Sequence, residues 1–351
     1  MDINKAVYRN GKMPLFDASE CGNKDLVEYL IEHGAKINKE DKDGKTPLVS
    51  ACIIGNKDLV EYLIEHGVDI NKENDEGKTP LFNACKSESK DLVEYLVKHG
   101  ANINKEDKYG CSPLFEASYS ENKNLVKYLI EHGANINKQE NDGETPLFNA
   151  CFSGNKDLVE YLVEHGVNIN KENKYGETLL LNSCRCENKD LVEYLVEYGA
   201  DINQENKYGE IALFNASYTG NKDLVEYLIK HGTDINKENK NGETATFNAC
   251  GRGNKDLIDY LVEHGADISK EDKSGKTPLF RACFSGNKDS VEYLVEHGVE
   301  INQENEYGET PLFHACIGGN KNLVEYLVEH GVNINKENEK GETPLFNACK
   351  K

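Results

Sequence analysis

The sequence predicts a mainly α-helical solenoid that is elongated and curved. The first indication is a glycine that returns every 33 residues from Gly11 to Gly341, with no insertion or deletion between these two positions. A fixed period of about 20–50 residues is typical of stacked repeats rather than of separate globular domains. The second indication is the hydrophobic content of 38%, because thin layers that bury one another need less apolar material than a single deep core.

The third indication is a pair of helix patterns in each repeat. In the repeat at residues 143–175, Thr145 and Pro146 predict a helix start, since a Thr hydroxyl can cap a free backbone amide and proline suits the first helical position. Gly154 and Asn155 predict a turn that tolerates positive φ. A second, antiparallel helix follows, and its apolar stripe consists of Leu158, Val159, Leu162 and Val163.

The second helix is predicted to end near His165, with Gly166 as the residue that stops it. The polar segment at residues 167–176 is too long for a simple helix connection, and its Asn and Gly residues predict a protruding hairpin loop. Each unit is therefore predicted to be a helix, a turn, a second helix and a hairpin loop.

These motifs resemble the ankyrin repeat. The order Gly-x-Thr-Pro-Leu, then Ala and Gly, then a helix that ends in Gly-Ala/Val-x-Ile-Asn recurs along the chain. The resemblance implies an ankyrin-repeat solenoid with a partial hairpin at residues 1–10, ten repeats over 11–340 and a truncated eleventh repeat at 341–351. Ankyrin repeats usually carry His after Thr-Pro-Leu, whereas most copies here carry Phe, as at Phe148. We expect that change to replace hydrogen bonds with apolar burial.

The charge balance excludes several partner classes. The chain has 41 Lys and Arg against 62 Asp and Glu, a net charge of −21, so it should repel nucleic acid and anionic membrane surfaces. Its longest charge-free runs, such as Thr46 to Asn56, are 11 residues, whereas a membrane span needs about 18 or more. The amino terminus lacks the apolar stretch of a secretory signal. We therefore expect no membrane insertion, an intracellular location in the cytoplasm or nucleus, and reduced cysteines.

The sequence predicts no catalytic residue, no metal site and no cofactor. Repeating cysteines such as Cys151 are predicted to be small core residues, and the histidines at the helix ends are kept apart by the repeat spacing. Gly-Lys-Thr at 44–46, 77–79 and 275–277 resembles the end of a phosphate-binding loop. The first glycine of that motif would fall on Lys in all three copies, so a phosphate loop is excluded.

Two sets of variable positions are the candidates for partner binding. The helix row lies two residues after the conserved Ala of the first helix, and the hairpin row lies at the loop tips. The resemblance implies that both line a concave face that binds proteins, and exposed aromatic side chains are enriched in binding hot spots. The alternative for the hairpin tyrosines is that they only pack on neighbouring hairpins. The candidates are Tyr109, Tyr119, Phe152, Tyr175, Tyr208, Tyr218, Phe284 and Tyr307.

Two further features concern single positions. The resemblance implies possible asparaginyl hydroxylation at Asn71, Asn203 and Asn236, against the alternative that these residues satisfy backbone groups of the hairpins. Glu replaces the glycine between the two helices in three copies, and a left-handed turn there would cost about 1 kcal/mol for each Glu. The three residues are Glu88, Glu121 and Glu187.

The predicted function is a non-catalytic scaffold that binds other proteins through its concave face. The acidic chain favours a partner with basic residues around an apolar centre. The alternative is that the chain is a fragment of a larger assembly, in which it would be the substrate-recognition arm of a ubiquitin-ligase adaptor or of a channel. The sequence leaves the partner and the oligomeric state open.

Overall fold

The computed structural model describes residues 3–4, 13–120 and 122–348. Most of the predicted remnant at 1–10, Gly11, Glu121 and the last three residues lie outside the described residues. Two compact units divide the chain, Met1–Asn168 and Ile169–Lys351. Within the described ranges the regular structure is helical, as the sequence predicts, and the predicted hairpin loops contain no β-strand.

Short first helices alternate with second helices of nine residues, for example α10 (Lys156–Glu164). The first unit contains α1 (Pro14–Glu20), α2 (Lys24–Glu32), α3 (Pro47–Ile53), α4 (Lys57–Glu65), α5 (Pro80–Lys86), α6 (Lys90–Lys98), α7 (Pro113–Tyr119), α8 (Lys123–Glu131), α9 (Pro146–Phe152) and α10. The second unit contains α11 (Leu179–Arg185), α12 (Lys189–Glu197), α13 (Ala212–Thr219), α14 (Lys222–Lys230), α15 (Ala245–Arg252), α16 (Lys255–Glu263), α17 (Pro278–Ser285), α18 (Lys288–Glu296), α19 (Pro311–Gly318), α20 (Lys321–Glu329) and α21 (Pro344–Ala348).

The core of each unit lies between the two helices of a repeat, as between α11 and α12, and between helices of the same kind in successive repeats. First helices stack on first helices, as α15 on α17 and α17 on α19, and second helices stack on second helices, as α4 on α6. The phenylalanines at the position that follows Thr-Pro-Leu in the repeat of Phe148 are part of this core, and the apolar burial expected from the loss of the family's His is confirmed. Those with less than 2% of their surface exposed are Phe16, Phe82, Phe214, Phe247, Phe280 and Phe313.

The predicted Thr cap of the first helix is wrong. Thr145 is the N-cap residue and has an extended backbone, but its side chain makes no capping hydrogen bond. The amide of Phe148 donates instead to the backbone carbonyl of Thr145, at 2.9 Å, and Pro146 has no amide hydrogen to cap. The equivalent hydroxyl of Thr277 is buried and has no hydrogen-bond partner among the described residues.

The turn between the helices contains a cap that the sequence analysis missed. Gly154 has the expected positive φ of 72°, but Asn155 has a φ of −78° and is the N-cap of α10. Its Oδ1 accepts from the amide of Leu158 at 3.0 Å. The predicted left-handed turn is confirmed at Glu88 and Glu187, where φ is 60° and 59°.

The loop after each second helix is a turn-based excursion without strands. Asn173 Oδ1 accepts from the amides of Tyr175 and Glu177, at 2.9 and 3.0 Å. The amide of Lys207 then donates to the carbonyl of Tyr175 at 2.8 Å, which joins this loop tip to the next one. Single backbone bonds between successive tips therefore fix the backbone of the hairpin row.

Candidate protein-binding surface

All eight candidate aromatic residues are exposed, with 42–64% of their surface accessible. Tyr119, Phe152, Tyr218 and Phe284 lie at or near the carboxyl ends of the first helices. Hairpin tips position the other four, Tyr109, Tyr175, Tyr208 and Tyr307. More than two fifths of the surface of each tip tyrosine is accessible to solvent.

In the first unit, two residues of the helix row form one aromatic surface. The rings of Tyr119 and Phe152 lie 6.2 Å apart between centroids, with an angle of 23° between their planes. Offset stacking at this distance is a favourable geometry for aromatic pairs. Both rings nevertheless keep more than half of their surface in solvent, so the pair is ordered by its own contact rather than by burial in the repeat stack.

In the second unit, Tyr218 is paired with an arginine of the next repeat. The guanidinium carbon of Arg252 lies 4.3 Å from the centroid of the Tyr218 ring, within the range of a cation–π interaction. Arg252 Nε also donates to the carbonyl of Tyr218 at 2.8 Å. This pair presents Tyr and Arg, two of the residue types that are enriched in hot spots, with their relative orientation already set.

The tip tyrosines stand on a backbone that is held on two sides. The amide of Tyr208 donates to Asn206 Oδ1 at 2.9 Å. Its carbonyl accepts from the amide of Lys240, in the next loop, at 2.7 Å. The backbone is therefore ordered while the ring is exposed, which reduces the conformational entropy that a partner would have to remove on binding.

A cleft of ≈330 Å³ in the second unit was missed by the sequence analysis. Its apolar side contains Phe247, Phe280, Phe284 and Ile317, and only Phe284 and Ile317 belong to the helix row. Its polar side includes Glu243 and Lys276, each of which follows a loop glycine at a position called the loop stem below. It also includes Arg281 and His314, which occupy a first-helix position that holds Asn in many other copies. The signal that could have indicated this cleft is sequence variation at these two positions. The stem is Gly-Lys-Thr in some copies and Gly-Glu-Thr in others, and the helix position changes from Phe-Asn-Ala to Phe-Arg-Ala or Phe-His-Ala.

One titratable group of this cleft is His314, whose side chain is 14% exposed. Its ring contacts Phe280 edge-on, with centroids 5.2 Å apart, and its Nε2 lies 3.5 Å from Glu309 Oε2. Burial and the nearby Lys276 ammonium lower the pKa of His314, whereas Glu309 and Asp272 act in the opposite direction. The imidazole is therefore held in its neutral form more strongly than a free histidine would be.

The three candidate asparagines each join two repeats. Asn71 Nδ2 donates to the carbonyl of Gly100 at 3.0 Å, and its Oδ1 accepts from the amide of Asn102 at 2.8 Å. Asn203 and Asn236 each make the same pair of contacts with the loop of the repeat that follows them. This arrangement agrees with the structural alternative for these residues, and hydroxylation stays a prediction.

Comparison with known families assigns the repeats. A family model described as ankyrin repeats, in three copies, matches residues 1–74, 54–140, 114–206, 213–305 and 300–351. A second model, described as ankyrin repeats in many copies, matches residues 187–229. The chain belongs to the ankyrin-repeat family. No curated protein matches it individually. Ankyrin repeats generally mediate protein–protein interaction, and ankyrin-repeat proteins are typically non-catalytic scaffolds.

The described part of this ankyrin-repeat chain contains no group of three or more His, Cys, Asp or Glu side chains that could hold a metal ion. Over the same residues, no helix combines the length and the apolar character that crossing a membrane requires. The cysteines described are free thiols. Burial raises the pKa of Cys184 to about 12, so this thiol is protonated and unreactive at neutral pH.

Proposed function

We propose that this ankyrin-repeat chain is a non-catalytic intracellular scaffold that binds other proteins through the concave face implied by the family. The observation that carries the proposal is the contrast between two kinds of aromatic position. Phe280 is 1% exposed, whereas Phe284, one helical turn further along the same helix, is 53% exposed. Aromatic side chains that packing does not require, and that solvent reaches, are typical of binding hot spots.

The charge of the chain supports a partner with basic residues around an apolar centre. A net charge of −21 attracts a basic protein from a distance and speeds its association. The exposed rings of the helix and hairpin rows then supply the apolar centre of the interface. An intracellular location is supported by the free thiols, because disulfides form and persist mainly in oxidising compartments.

The test is to isolate a partner by affinity capture and then to titrate it against aromatic variants. Replacing both Phe152 and Tyr218 with Ala should weaken partner binding at least tenfold. Each docked ring can contribute about 2 kcal/mol to the binding free energy, and about 1.4 kcal/mol corresponds to a tenfold change in the dissociation constant. The melting temperature should change little, because both rings are exposed.

Tyr198 provides a matched control in the same molecule. It is an exposed aromatic residue outside both rows, at the end of α12, where other copies have His. Tyr198→His should therefore leave partner binding unchanged. If the Phe152 and Tyr218 double variant loses stability while its folded fraction still binds normally, the rings are packing residues and the proposal is wrong.

A further inference from the structure

The cleft in the second unit occurs where two consecutive repeats lose the same contact. In the preceding repeat, Asn248 Nδ2 donates to the carbonyl of Phe214 at 3.2 Å, which ties the two repeats together. Arg281 and His314 occupy the equivalent positions in the next two repeats. Arg281 forms an ion pair with Glu243 instead, and His314 packs against Phe280. Two changes from Asn thus coincide with an open, partly aromatic cleft.

The cleft contains one ion pair, between Glu243 and Arg281, and one cation that faces a histidine instead of a carboxylate. A loop-stem residue faces the first-helix residue that follows it by 38 positions: Lys78 Nζ lies 3.0 Å from Glu116 Oε1, and Glu243 pairs with Arg281. At the next stem the same geometry brings Lys276 towards His314, which carries no negative charge. Among the described residues, no carboxylate oxygen lies within 4.0 Å of the Lys276 ammonium.

The acidic groups nearby, Glu243, Asp272 and Glu309, each accept hydrogen bonds from within the protein, and Glu309 Oε2 accepts from Asn305 Nδ2 at 3.2 Å. Glu243 is held by Arg281 and by Asn239 Nδ2, the latter at 3.2 Å. Asp272 Oδ1 accepts from the amides of Ser274 and Lys276, at 2.8 and 2.9 Å. An anion bound beside Lys276 would therefore meet no competing carboxylate at that ammonium, and it would lie near the exposed ring of Phe284.

We propose that this cleft binds the carboxyl-terminal residue of a partner protein, with its carboxylate at Lys276 and its apolar side chain against Phe284 and Ile317. The inference rests on the proposed protein-binding function and deepens it. A cleft of ≈330 Å³ is at the lower end of the range for small-ligand sites, about 300–1,000 Å³, and suits a single residue.

A terminal residue fits better than an internal acidic one. Successive side chains of an extended segment point to opposite faces, so an internal apolar residue and the acidic residue next to it would not enter one small cleft together. A carboxyl-terminal residue carries both groups on the same Cα. The charge of its carboxylate would also give Lys276 an opposite charge, as Arg281 gives Glu243 at the preceding stem.

The test is to titrate the whole chain with N-acetyl-phenylalanine as a probe. Binding is measured by NMR of isotope-labelled histidine rings. His314→Asn identifies the His314 signal, and Asn is the residue that many other repeats have at this position. We expect the probe to shift the His314 signal saturably and to raise the pH at which it titrates. N-acetyl-phenylalaninamide, which has the same ring without the charge, should bind at least tenfold more weakly.

Lys276→Glu is the decisive variant, because it converts the stem to the Gly-Glu-Thr found at Gly242–Thr244 and should fold normally. This variant should bind N-acetyl-phenylalanine at least tenfold more weakly than the wild type does. Lys45→Glu makes the same charge change at a Gly-Lys-Thr stem of the first unit and should leave probe binding unchanged. Equal losses in both variants would mean that only overall charge matters, and the proposal would be wrong.

Other occupants give distinct results. Equal binding of the amide would identify an apolar pocket, and stronger binding of phenethylammonium would identify a cation site. Equal binding of an internal acidic peptide, acetyl-Phe-Gly-Glu-amide, would exclude the terminal carboxylate as the recognised group. Each of these results overturns the inference. If the probe does not bind but partner binding still depends on Phe152 and Tyr218, this inference fails while the proposed function stands.

Discussion

The side-chain amide of Asn236 donates to the carbonyl oxygen of Gly265, 2.9 Å away and one repeat further along the chain. The Oδ1 of the same side chain accepts from the amide of Asp267 at 2.8 Å. One asparagine thus satisfies a donor and an acceptor of the following loop. Both contacts are also seen at other described asparagines of this position, which are Asn4, Asn38, Asn71, Asn104, Asn170, Asn203 and Asn302.

The first prediction concerns a position where this contact is lost. Ser269 occupies the asparagine position, and its hydroxyl donates to Asp267 Oδ1 within its own loop. Ser269→Asn should stabilise the second unit by about 1 kcal/mol, because two hydrogen bonds to the next loop would form. Asn236→Ala should destabilise it by a similar amount. Thermal unfolding measures both, and Ser269→Ala, which adds no bond between repeats, should show no gain.

The second prediction concerns the orphaned threonine hydroxyls. Thr277 Oγ1 is buried and unpartnered among the described residues, so Thr277→Val removes a desolvated polar atom without losing a hydrogen bond. We expect a gain of about 1 kcal/mol in the free energy of unfolding. Ser120→Ala is the control, because the buried Ser120 hydroxyl donates to the carbonyl of Ala117 at 2.7 Å. That variant should lose stability, and a loss in Thr277→Val would contradict the assignment.

The third prediction concerns the strained turn at Glu187. Its φ of 59° lies in the left-handed region, where a residue with a Cβ is disfavoured relative to glycine. Glu187→Gly should stabilise the chain by about 1 kcal/mol. Glu187→Ala separates conformation from charge, because it removes the carboxylate but keeps the Cβ. If the alanine variant gains as much stability as the glycine variant in chemical denaturation, charge rather than backbone strain is the cause.

The fourth prediction is a pH dependence that originates at His314. Burial and Lys276 lower its pKa in the folded chain, against the opposite influence of Glu309 and Asp272. Near the ordinary histidine pKa of about 6.5 the unfolded chain therefore binds more protons than the folded chain, so stability should fall as the pH falls. The loss should begin as the pH drops through about 6.5 and should level off below the folded pKa.

The measurement is the unfolding free energy of the wild type minus that of His314→Asn at several pH values. Subtraction removes the contribution of the other histidines, which are capping residues at the ends of second helices, as His165 is. The wild type should lose stability relative to the variant on acidification. A difference that does not change with pH, or that changes in the opposite direction, would show that the folded chain accommodates the protonated imidazole.

Sequence periodicity by itself determined the repeat unit of this protein, its helix pairs and its ankyrin family. Those features depend on local preferences and on an apolar pattern that returns every 33 residues. Periodicity also placed the candidate aromatic residues, because a position that varies between copies is one that stacking does not constrain. Periodicity also predicted the left-handed turn at Glu187, because glycine occupies the equivalent position in most other copies.

Only the tertiary structure decided which polar groups meet across repeats. The Asn236 to Gly265 bond and the Glu243 to Arg281 pair join residues 29 and 38 positions apart. The distances between these groups, and the lack of a carboxylate beside Lys276, depend on how one repeat is translated and rotated against the next. Local propensity ranks the groups that could bond, but packing determines which of them come within 3 Å of each other, and the cleft at His314 is a consequence of that packing.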